Sequence, residues 1–474
     1  MSINNPPIGP ILGMVTKTTA RLMCGIQNHP TKKVTNCGWI RIRKLGNDIW
    51  QSGKRFRFNE NFYYTGVIEL TNLDSDSQYE YQMGYESSYS EGDNLLETDW
   101  SNVTIYSFNT QGACDIRFCF GSCLNDFGHD SRIGKVLNFT KAEHNKKPLN
   151  MMLWMGDQIY NDPAFALSRQ FNHSKGSIKQ KYYNFFNKDN VNQILPYVPN
   201  YMLMDDHEIE DVFTTGKKEY FNNGNKNDKN RVINGINAFY AYMQSHGPIF
   251  DTSKCNNQQD VSFVKGQNDY QSPAKHYTKL TLSEEVGVFL LDTRIERSKE
   301  LFISKQQELE LRDFLNSELK VKFVASSTTF LADRKGKLKN ADNWRKAGKQ
   351  RKRILDFITD ENIHNVIFLS GDVHSHFSGW TQHNEGGPVI HQLISGALYW
   401  PLINPLARLF EKQVRFKKIK AADQYKFIKH PSTGPKDFYT GNAVGFVEII
   451  DNILLFKIIN HKGKAIISSE IHLV

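Results

Sequence analysis

Four short segments of this sequence place metal-binding side chains directly after apolar runs. They are GSC at 121–123, GDQIY at 156–160, DDHE at 205–208 and GDVH at 371–374. A binuclear hydrolase of phosphate esters needs two cations about 3.5–4 Å apart, bridged by an anionic ligand. Aspartate and histidine suit divalent ions, and a phenolate or a thiolate suits a ferric ion. Together the four segments predict a two-metal hydrolytic centre.

Asp157 is the best candidate for the bridging ligand. It follows the apolar run Met151–Met155, and Gly156 lets the backbone turn tightly. Tyr160 lies three residues further on, and its side chain faces the same way if the turn opens into a helix. Cys123 ends the apolar run Ile116–Phe120 in the same manner.

The other two segments add an aspartate and a histidine each. Asp372 and His374 are two residues apart, so on an extended segment they project to the same side. Asp206 and His207 are neighbours and are expected to point to different sides, so that one binds metal while the other meets the substrate. Either Asp205 or Asp206 could supply the ligand from this segment.

Each of these residues taken singly has a structural explanation. A cysteine after a strand is usually buried and inert, an aspartate after glycine usually caps a turn, and a histidine near aspartate usually makes a structural hydrogen bond. Four strand–turn units that all end in metal-binding residues are hard to explain in this way. The joint pattern therefore favours a functional site.

The elements that must position these residues fall into two regions. Residues Ile8 to Thr110 alternate apolar and polar in short runs, which predicts a small antiparallel β-sandwich. Its segment LDSDSQYEY (73–81) resembles a tyrosine corner, in which a tyrosine hydroxyl hydrogen-bonds to nearby backbone. We predict domains at 1–112 and 113–474.

After Cys114, buried apolar strands alternate with helical segments, which predicts an α/β core. The predicted strands are Ile116–Phe120, Met151–Met155, Tyr201–Met204, Val286–Leu291, Val321–Ala325 and Val366–Leu369. The predicted helices include a stretch after Ser131, Ser304–Glu318 and Trp344–Thr359. Gly445 to Leu473 predicts a hairpin that turns at Asp451-Asn452. Asn222–Asn230 predicts a solvated loop.

The composition of the chain is that of a globular protein. It has 474 residues, 39% of them hydrophobic, and a formal net charge of +9. No apolar run reaches the ~18 residues of a transmembrane helix. The positive charge favours anionic partners, although lysine- and asparagine-rich codon usage explains it equally well. The basic stretch Leu402–Lys429 predicts an amphipathic helix over the core or, less commonly, a membrane-surface segment.

The cysteine pattern and the N-terminal residues bear on the compartment. The six cysteines form no CxxC pair and no disulfide framework, which favours a reducing setting. MSINNPPIGP lacks a basic segment followed by an apolar one, and it has no twin arginine. We therefore expect a cytoplasmic protein, while export by another route stays open.

The chain resembles the PhoD-like alkaline phosphatases, a branch of the metallophosphoesterases. The resemblance runs from the predicted sandwich to the C-terminal region and rests on the order GSC, GDxxY, DDHE, GDVH. It also includes LDTR at 291–294 and DNWRKAGKQRKRILDFI at 342–358. It implies a metallophosphoesterase-like layered core of sheets and helices behind a fibronectin- or immunoglobulin-like sandwich. Unlike many members of the family, this sequence shows no twin-arginine signal.

The resemblance also implies cofactors and roles, residue by residue. Cys123, Asp157 and Tyr160 would surround Fe³⁺, and Asp157 would bridge to Ca²⁺ or another divalent ion. Asp206, Asp372 and His374 match further ligand positions. His207 matches the position that approaches the leaving-group oxygen. Two further roles are weighed: Arg294 either clamps phosphoryl oxygens or makes a buried salt bridge, and His376 supports the ligands from behind.

Two functions from different classes follow. The first is hydrolysis of a phosphate mono- or diester by a metal-activated hydroxide, with nucleic acid or phospholipid as candidate diesters. The second is a non-enzymatic protein that binds anions or membranes on a degenerate phosphatase core. A degenerate core should have lost a metal-binding residue, and none of the expected positions is apolar. This favours the enzyme, and the sequence points to no protein partner.

Overall fold

The computed structural model describes most of the chain, with gaps. The described residues are 2–26, 37–86, 98–112, 115–125, 132–162, 175–211, 213, 226–250, 252–254, 261–264, 275–298, 300–334, 343–400, 414–415, 418–419 and 421–474. The structure is mixed α/β and divides into two compact units. The first comprises residues 1–114, 175–201 and 237–275, and the second comprises 115–174, 202–236 and 276–474.

Strands and helices are numbered here in chain order. The strands are β1 (Ile3–Asn4), β2 (Ile8–Val15), β3 (Ala20–Gly25), β4 (Cys37–Lys44), β5 (Lys54–Arg57), β6 (Thr65–Leu70), β7 (Gln78–Glu86), β8 (Tyr106–Asn109), β9 (Ile116–Gly121), β10 (Met151–Trp154), β11 (Asn200–Met202), β12 (Thr252–Lys254), β13 (Val261–Val264), β14 (Thr278–Thr281), β15 (Val286–Leu290), β16 (Val321–Ser326), β17 (Asp333–Arg334), β18 (Val366–Ser370), β19 (His376–Thr381), β20 (Ile390–Ser395), β21 (Val414–Arg415), β22 (Lys418–Ile419), β23 (Ala422–Lys426), β24 (Ile428–Lys429), β25 (Phe438–Tyr439), β26 (Ala443–Ile450), β27 (Ile453–Asn460) and β28 (Ala465–His472). The helices are α1 (Arg132–Lys146), α2 (Lys175–Phe186), α3 (Asp189–Asn192), α4 (Lys226–Phe239), α5 (Lys305–Leu315) and α6 (Gly348–Asp360), with a 3₁₀ turn at Glu60–Phe62 and a π-helical turn at Tyr240–Gln244.

The first unit contains two antiparallel sheets at its N-terminal end. One has the order β2-β3-β6, and the other has the order β1-β7-β4-β5-β13-β12, with β8 beside β7 and a parallel β5–β13 pair. Residues of both sheets form one buried cluster, which includes Leu22, Ile42 and Phe108. The Tyr79 hydroxyl accepts a hydrogen bond from the Asp74 backbone N–H at 2.8 Å. The tyrosine-to-backbone contact predicted for this segment is therefore present.

His246 in the first unit predicts acid sensitivity of the fold. It is fully buried, and neither ring nitrogen has a hydrogen-bond partner among the described residues. Burial lowers its pKa to about 3. Because the unfolded chain binds this proton more readily, stability is present above the unfolded pKa of about 6.5 and is lost as pH falls toward 3. In denaturant titrations between pH 7 and pH 4, the fall in unfolding free energy should be smaller for His246→Leu than for the wild type. Equal losses would refute this assignment.

The first sheet of the second unit carries two of the predicted strand–turn segments. β9 and β10 pair in parallel, and β26, β27 and β28 extend the sheet antiparallel from β9. The predicted hairpin is confirmed, since Ile450 pairs with Ile453 across Asp451-Asn452, and β28 adds a third strand. On one face, Arg117 forms an ion pair with Glu143 of α1 at 3.1 Å.

The second sheet of this unit has the order β14-β15-β16-β18-β20-β19-β24, with β25 also beside β19. Its four central strands, β15, β16, β18 and β20, are parallel. Apolar residues of α5 and α6, such as Leu311 and Ile354, pack on this sheet in a buried cluster with Phe368 and Ile394. The continuous apolar character of these strands reflects burial on both faces.

The two sheets of the second unit face each other. Side chains alternate along a strand. Arg117 faces α1, so Phe118 faces away from that helix, and its ring lies edge-on to Phe323 of β16 at 5.2 Å. The loops that follow β9, β10 and β18 carry GSC, GDQIY and GDVH. The carboxyl ends of the parallel strands thus present the predicted ligands.

Two predictions about surface segments are wrong where the structure describes them. The predicted loop at 222–230 ends earlier, because α4 begins at Lys226. Within the predicted helical segment 402–429, the described residues form the short strands β21 to β24 instead. Pairing of β24 with β19 satisfies its backbone groups in a sheet rather than a helix. Residues 401–413 lie outside the described part of the chain.

Candidate metal centre

Four of the predicted ligands have a left-handed backbone conformation. The φ angles are 56° at Cys123, 57° at Asp157, 64° at Asp372 and 47° at His374. Non-glycine residues rarely adopt this conformation, which costs on the order of 1–3 kcal/mol per residue and is concentrated at functional sites. The tight loops after three separate strands therefore store strain where the candidate ligands lie.

Hydrogen bonds join the GSC, GDQIY and GDVH loops to one another. The Cys123 N–H donates to the Gly156 carbonyl at 3.1 Å, and the Leu124 N–H donates to the Asp157 carbonyl at 2.9 Å. The Ser122 hydroxyl accepts a hydrogen bond from the Asp372 N–H at 2.9 Å and lies 3.1 Å from the Cys123 sulfur. Ser122 therefore connects a candidate ligand of one sheet to a candidate ligand of the other.

The glycines of two motifs allow this close approach. A Cβ atom on Gly156 would lie 2.4 Å from the Cβ of Asp205, and the φ of Gly156 is 102°. A Cβ atom on Gly371 would lie 2.4 Å from the Ser122 hydroxyl oxygen. Any larger residue at either position would push the loops apart.

Asp157, Asp206 and His207 converge most closely. One potential ligand atom from each lies within 4.8 Å of the other two, and all three residues are buried. The Cys123 sulfur lies 3.5 Å from an Asp157 carboxylate oxygen. The expectation that Asp206 and His207 point to different sides is wrong. The segment is a turn, in which Ile209 and Glu210 both donate to the Asp206 carbonyl, so strand alternation does not apply.

Tyr160 reaches this cluster without a helix. Residues 155–162 are bends and coil, so the helical opening on which the expected direction of Tyr160 depended is absent. The Tyr160 ring lies 4.4 Å from the His207 ring and 5.9 Å from the Trp400 ring. Its hydroxyl is buried and has no hydrogen-bond partner among the described residues. The absence of a hydrogen-bond partner among the described residues leaves this phenol oxygen available to bind a metal ion.

Asp372 and His374 reach the site by another route than predicted. The segment between them is not extended, because both residues are left-handed and the Val373 N–H donates to the Gly371 carbonyl at 2.8 Å. The His374 ring stacks on Trp400, with the ring centres 3.8 Å apart. Trp400, which the sequence gave no reason to select, thus contacts both His374 and Tyr160.

Glu208 is a structural centre of the site that the sequence analysis missed. Its buried carboxylate accepts four backbone N–H groups, from Asp157 (3.0 Å), Gln158 (2.8 Å), Ile159 (3.2 Å) and Asp205 (2.8 Å). One side chain thereby fixes both the GDQIY loop and the DDHE turn. Its position could have indicated this role, because Glu208 directly follows Asp206 and His207 in the DDHE segment.

Asp162 is a second residue that the sequence analysis missed. Its carboxylate lies 2.7 Å from Nδ1 of His207 and accepts the Asp211 N–H at 2.5 Å. Burial raises the pKa of Asp162, but the hydrogen bond and the charge of His207, together with backbone N–H groups, outweigh it, and the pKa is lowered overall. An ionised carboxylate only accepts hydrogen bonds, so Nδ1 of His207 carries a proton. Nε2 is therefore the ring nitrogen that can contact a metal ion or a substrate.

Arg294 and Asp205 form a buried pair behind the cluster. Nε of Arg294 donates to Asp205 at 2.6 Å, and Nη1 donates to the Phe213 carbonyl at 3.1 Å. The Ser327 hydroxyl donates to the same Asp205 oxygen at 2.7 Å. Arg294 is fully buried, and its nearest approach to Asp206 is 3.6 Å. The structure thus places Arg294 in the buried salt bridge that was the alternative to a phosphoryl clamp, and places Asp206 rather than Asp205 in the cluster.

His376 is buried beyond the GSC loop. Its Nε2 lies 2.9 Å from the Gly441 carbonyl, and its Nδ1 lies 3.3 Å from the Ser395 hydroxyl. The Ser395 carbonyl in turn accepts the Ser122 N–H at 3.2 Å. His376 therefore contacts the loop of Cys123 through Ser395, in keeping with a supporting position.

The electrostatics of the cluster fit a bound cation. Burial, then the neighbouring Asp157 and Asp372, raises the pKa of Cys123. Burial also raises the pKa of Asp157 and Tyr160 well above their ordinary values, and nearby carboxylates add to the shift at Tyr160. A cation reverses this effect, since metal binding favours the deprotonated ligand. Carboxylates, imidazole, thiol and phenol in one buried cluster make a donor set suited to transition-metal ions.

Comparison with known proteins supports one family. The family model of PhoD-like phosphatases matches residues 118–439. A solved structure described as that of PhoD has 16% sequence identity and a TM-score of 0.66, and the match covers 98% of this chain and 89% of that chain. A structure of GAP50, the anchor in the inner membrane complex of Plasmodium, has 10% identity and a TM-score of 0.41, covering 76% and 90% of the two chains. That TM-score is too low to indicate a shared fold. No curated protein sequence matches the chain.

The matched segment spans more than half of the 474 residues and contains all the candidate ligands. The likeness to PhoD extends the shared fold over nearly the whole chain. Among the described helices, none combines the length and hydrophobicity that crossing a bilayer requires. The chain belongs to the PhoD-like phosphatase family, whose members are metal-dependent hydrolases of phosphate esters.

Proposed function

We propose that the protein hydrolyses phosphate mono- or diesters at the cluster of Asp157, Asp206 and His207. The observation that carries this proposal is the convergence of these three buried side chains within 4.8 Å, with the Cys123 sulfur 3.5 Å from Asp157. Nucleic acid and phospholipid are the candidate diester classes. The alternative function, capture of anions or membranes without catalysis, leaves such a buried ligand cluster unexplained.

The proposed ligands are Cys123, Asp157 and Tyr160 around Fe³⁺, with Asp157, Asp206, Asp372 and His374 available to Ca²⁺ or another divalent ion. When bound, such ions supply Lewis acidity and a hydroxide nucleophile at neutral pH. The protein contributes the arrangement. Ser122 and Glu208 hold the loops in place, and the left-handed backbone aims the side chains.

His207 is proposed to assist the departing oxygen. Asp162 holds a proton on Nδ1, which fixes the ring orientation and leaves Nε2 free to face the substrate. Arg294 was a candidate to stabilise the phosphoryl group. Its contacts support a positioning role instead, in which it fixes Asp205 and thereby the neighbouring Asp206.

We also propose the finer fold description and the domain division. Two facing antiparallel sheets, built from strands within 1–112 except for β12 and β13, and the Tyr79 hydrogen bond support a fibronectin- or immunoglobulin-like sandwich at 1–112. Two facing sheets with helices packed on them support a metallophosphoesterase-like core within 113–474. Limited proteolysis followed by mass spectrometry would test the boundary near residue 112.

Hydrolysis of nitrophenyl phosphate and bis-nitrophenyl phosphate, measured with iron and calcium supplied, tests the function. Cys123→Ala should abolish most activity and lower the iron content in elemental analysis. Cys119→Ala is the matched control, since Cys119 lies on β9, the strand that leads to the loop of Cys123, and is equally buried. This control should leave both activity and iron content unchanged. Full activity of Cys123→Ala, or zinc in place of iron, would overturn the ligand assignment. Anion or liposome binding that persists without metal and without hydrolysis would support the alternative.

Asp162→Asn should lower kcat by about 10–100-fold, the usual effect of losing a group that orients a catalytic or metal-binding histidine. The loss should be larger for phenyl phosphate than for nitrophenyl phosphate, because the poorer leaving group depends more on assistance by His207. Asp211→Asn is the control, because Asp211 contacts Asp162 through its backbone N–H, which the substitution keeps. An equal loss for both substrates would show that Asp162 has only a structural role.

A further inference from the structure

Four aromatic rings lie in series within the candidate metal centre. The His374 ring stacks on the Trp400 indole, with the ring centres 3.8 Å apart and the planes inclined by 21°. The indole lies 5.9 Å from the Tyr160 ring, which lies 4.4 Å from the His207 ring. Trp400 differs from the other three, because its indole offers a metal ion no lone pair. Any role of Trp400 in metal binding must therefore come from contact with its neighbours.

The residues before Trp400 pair with the loop that carries Cys123. The Leu398 N–H donates to the Ser122 carbonyl at 2.8 Å, and the Tyr399 N–H donates to the Cys123 carbonyl at 3.2 Å. These hydrogen bonds lay the chain that leads to Trp400 along the GSC loop. The indole thus enters the site from a backbone that is tied to a candidate ligand.

The same stretch of chain is also tied to the loop of His374. The Gly396 N–H donates to the Ser375 carbonyl at 3.1 Å, and a Cβ atom on Gly396 would lie 3.0 Å from the His374 nitrogen. At the other end, the Trp400 N–H donates to Oδ1 of Asn442 at 2.8 Å. The backbone beneath the indole is therefore fixed relative to both the GSC and the GDVH loops.

A ring that stacks on His374 constrains what the backbone of His374 leaves open. Rotation about the bond to an imidazole ring has broad minima, so the backbone of His374 does not by itself set the plane of the ring. A metal–imidazole bond lies in that plane. Stacking on the face of the ring keeps its edge open to an ion and fixes the plane in which a bond can form.

We propose that Trp400 is a positioning residue of the metal centre, whose indole fixes the ring planes of His374 and Tyr160. The inference rests on the proposed function, because it takes both residues as ligands. One indole held by the GSC loop then orients ligands on two other loops. An aromatic pair favours its contact geometry by roughly 2–12-fold, and Trp400 makes two such contacts.

Crystal structures of the metal-free variants Trp400→Leu and Trp400→Phe test the inference without reference to activity. Leucine is apolar but has no flat face, so we expect the His374 imidazole to take more than one orientation. Phenylalanine keeps a flat face and should hold the imidazole in its single stacked orientation. A single, unchanged orientation of His374 in Trp400→Leu would overturn the proposal.

Calorimetric titration of the metal-depleted protein with Zn²⁺, which accepts imidazole and carboxylate ligands, tests it in solution. The binding step to follow is the one that His374→Ala removes. Trp400→Leu should weaken that step by about 10–100-fold, as losing a group that orients a ligand usually does, and Trp400→Phe should restore most of the loss. A wild type that binds no ion would refute the proposed function, and the crystal structures would still decide the role of Trp400.

The matched control for the titration is Trp380→Leu. Trp380 is also a half-buried tryptophan of the second unit, and it lies on β19, four residues beyond His376. This control should bind Zn²⁺ like the wild type. Equal weakening in Trp380→Leu and Trp400→Leu would mean that any lost indole loosens the unit, and would contradict a specific role for Trp400.

Steady-state kinetics with nitrophenyl phosphate separate positioning from contact with the substrate. Because Trp400 acts through His374 and Tyr160, Trp400→Leu should lower kcat and leave KM unchanged. A higher KM with unchanged kcat would show that the indole binds the substrate, and would overturn the positioning role.

Discussion

Asp157→Asn should reduce kcat for nitrophenyl phosphate by about 10³-fold or more, since the charge stabilisation lost is worth several kcal/mol. The amide keeps the shape of the side chain, and its oxygen can still accept the backbone N–H of His207, whose nitrogen lies 3.3 Å from Asp157 Oδ1. What it loses is the negative charge of the carboxylate and one of its two oxygens, with which Asp157 would hold the two proposed ions. Elemental analysis should show reduced metal content in the same sample.

The control for this experiment is Asp360→Asn, a carboxylate at the end of α6, outside the cluster. It should retain wild-type activity and metal content. Circular dichroism and thermal melting of Asp157→Asn should resemble the wild type, since the substitution is nearly isosteric. More than a tenth of wild-type activity in Asp157→Asn would remove Asp157 from its proposed bridging position.

Glu208→Gln should lower the free energy of unfolding by about 3–6 kcal/mol, although the side chain keeps its size. The carboxylate accepts two backbone N–H groups on each oxygen, from Gln158 and Ile159 on Oε1 and from Asp157 and Asp205 on Oε2. In either orientation the amide NH₂ faces two N–H donors. Each lost hydrogen bond to a charged acceptor costs about 1.5–3 kcal/mol.

Urea titration of Glu208→Gln beside the exposed control Glu361→Gln measures this effect. Glu361→Gln should stay within about 0.5 kcal/mol of the wild type, as surface substitutions usually do. Because Glu208 fixes the loops of Asp157 and Asp206, its loss should also lower metal affinity. A Glu208→Gln variant as stable as the control would show that these backbone groups find other partners.

The elements of the second unit were largely predictable. Runs such as Met151–Met155 and Val366–Leu369 form β10 and β18, because a strand buried on both faces is continuously apolar and ends at glycine. The helix after Ser131 begins at Arg132. The segments 222–230 and 402–429 were predicted wrongly where described, because polar composition does not exclude a helix or a sheet edge.

The segments GSC, GDQIY, DDHE and GDVH could be located from residue type and spacing alone. The order of residues along the chain determines which strand each aspartate, histidine and cysteine follows. The direction of that strand then determines at which end of the sheet the residue lies. The left-handed backbone at Asp372 and His374 could not be foreseen, since only the surrounding loops hold that conformation. For the same reason, the expected alternation of these side chains did not apply.

The sequence by itself determined the donor types, the family and the end of the sheets that carries the site. The tertiary structure decided which donors meet. Asp206 lies in the cluster with Asp157, while Asp205 pairs with Arg294. Glu208 and Asp162 hold the loops in place through hydrogen bonds to residues up to 51 positions away in the chain. Such contacts depend on how two sheets bring separate loops together. The spacing of residues along the chain does not specify that arrangement.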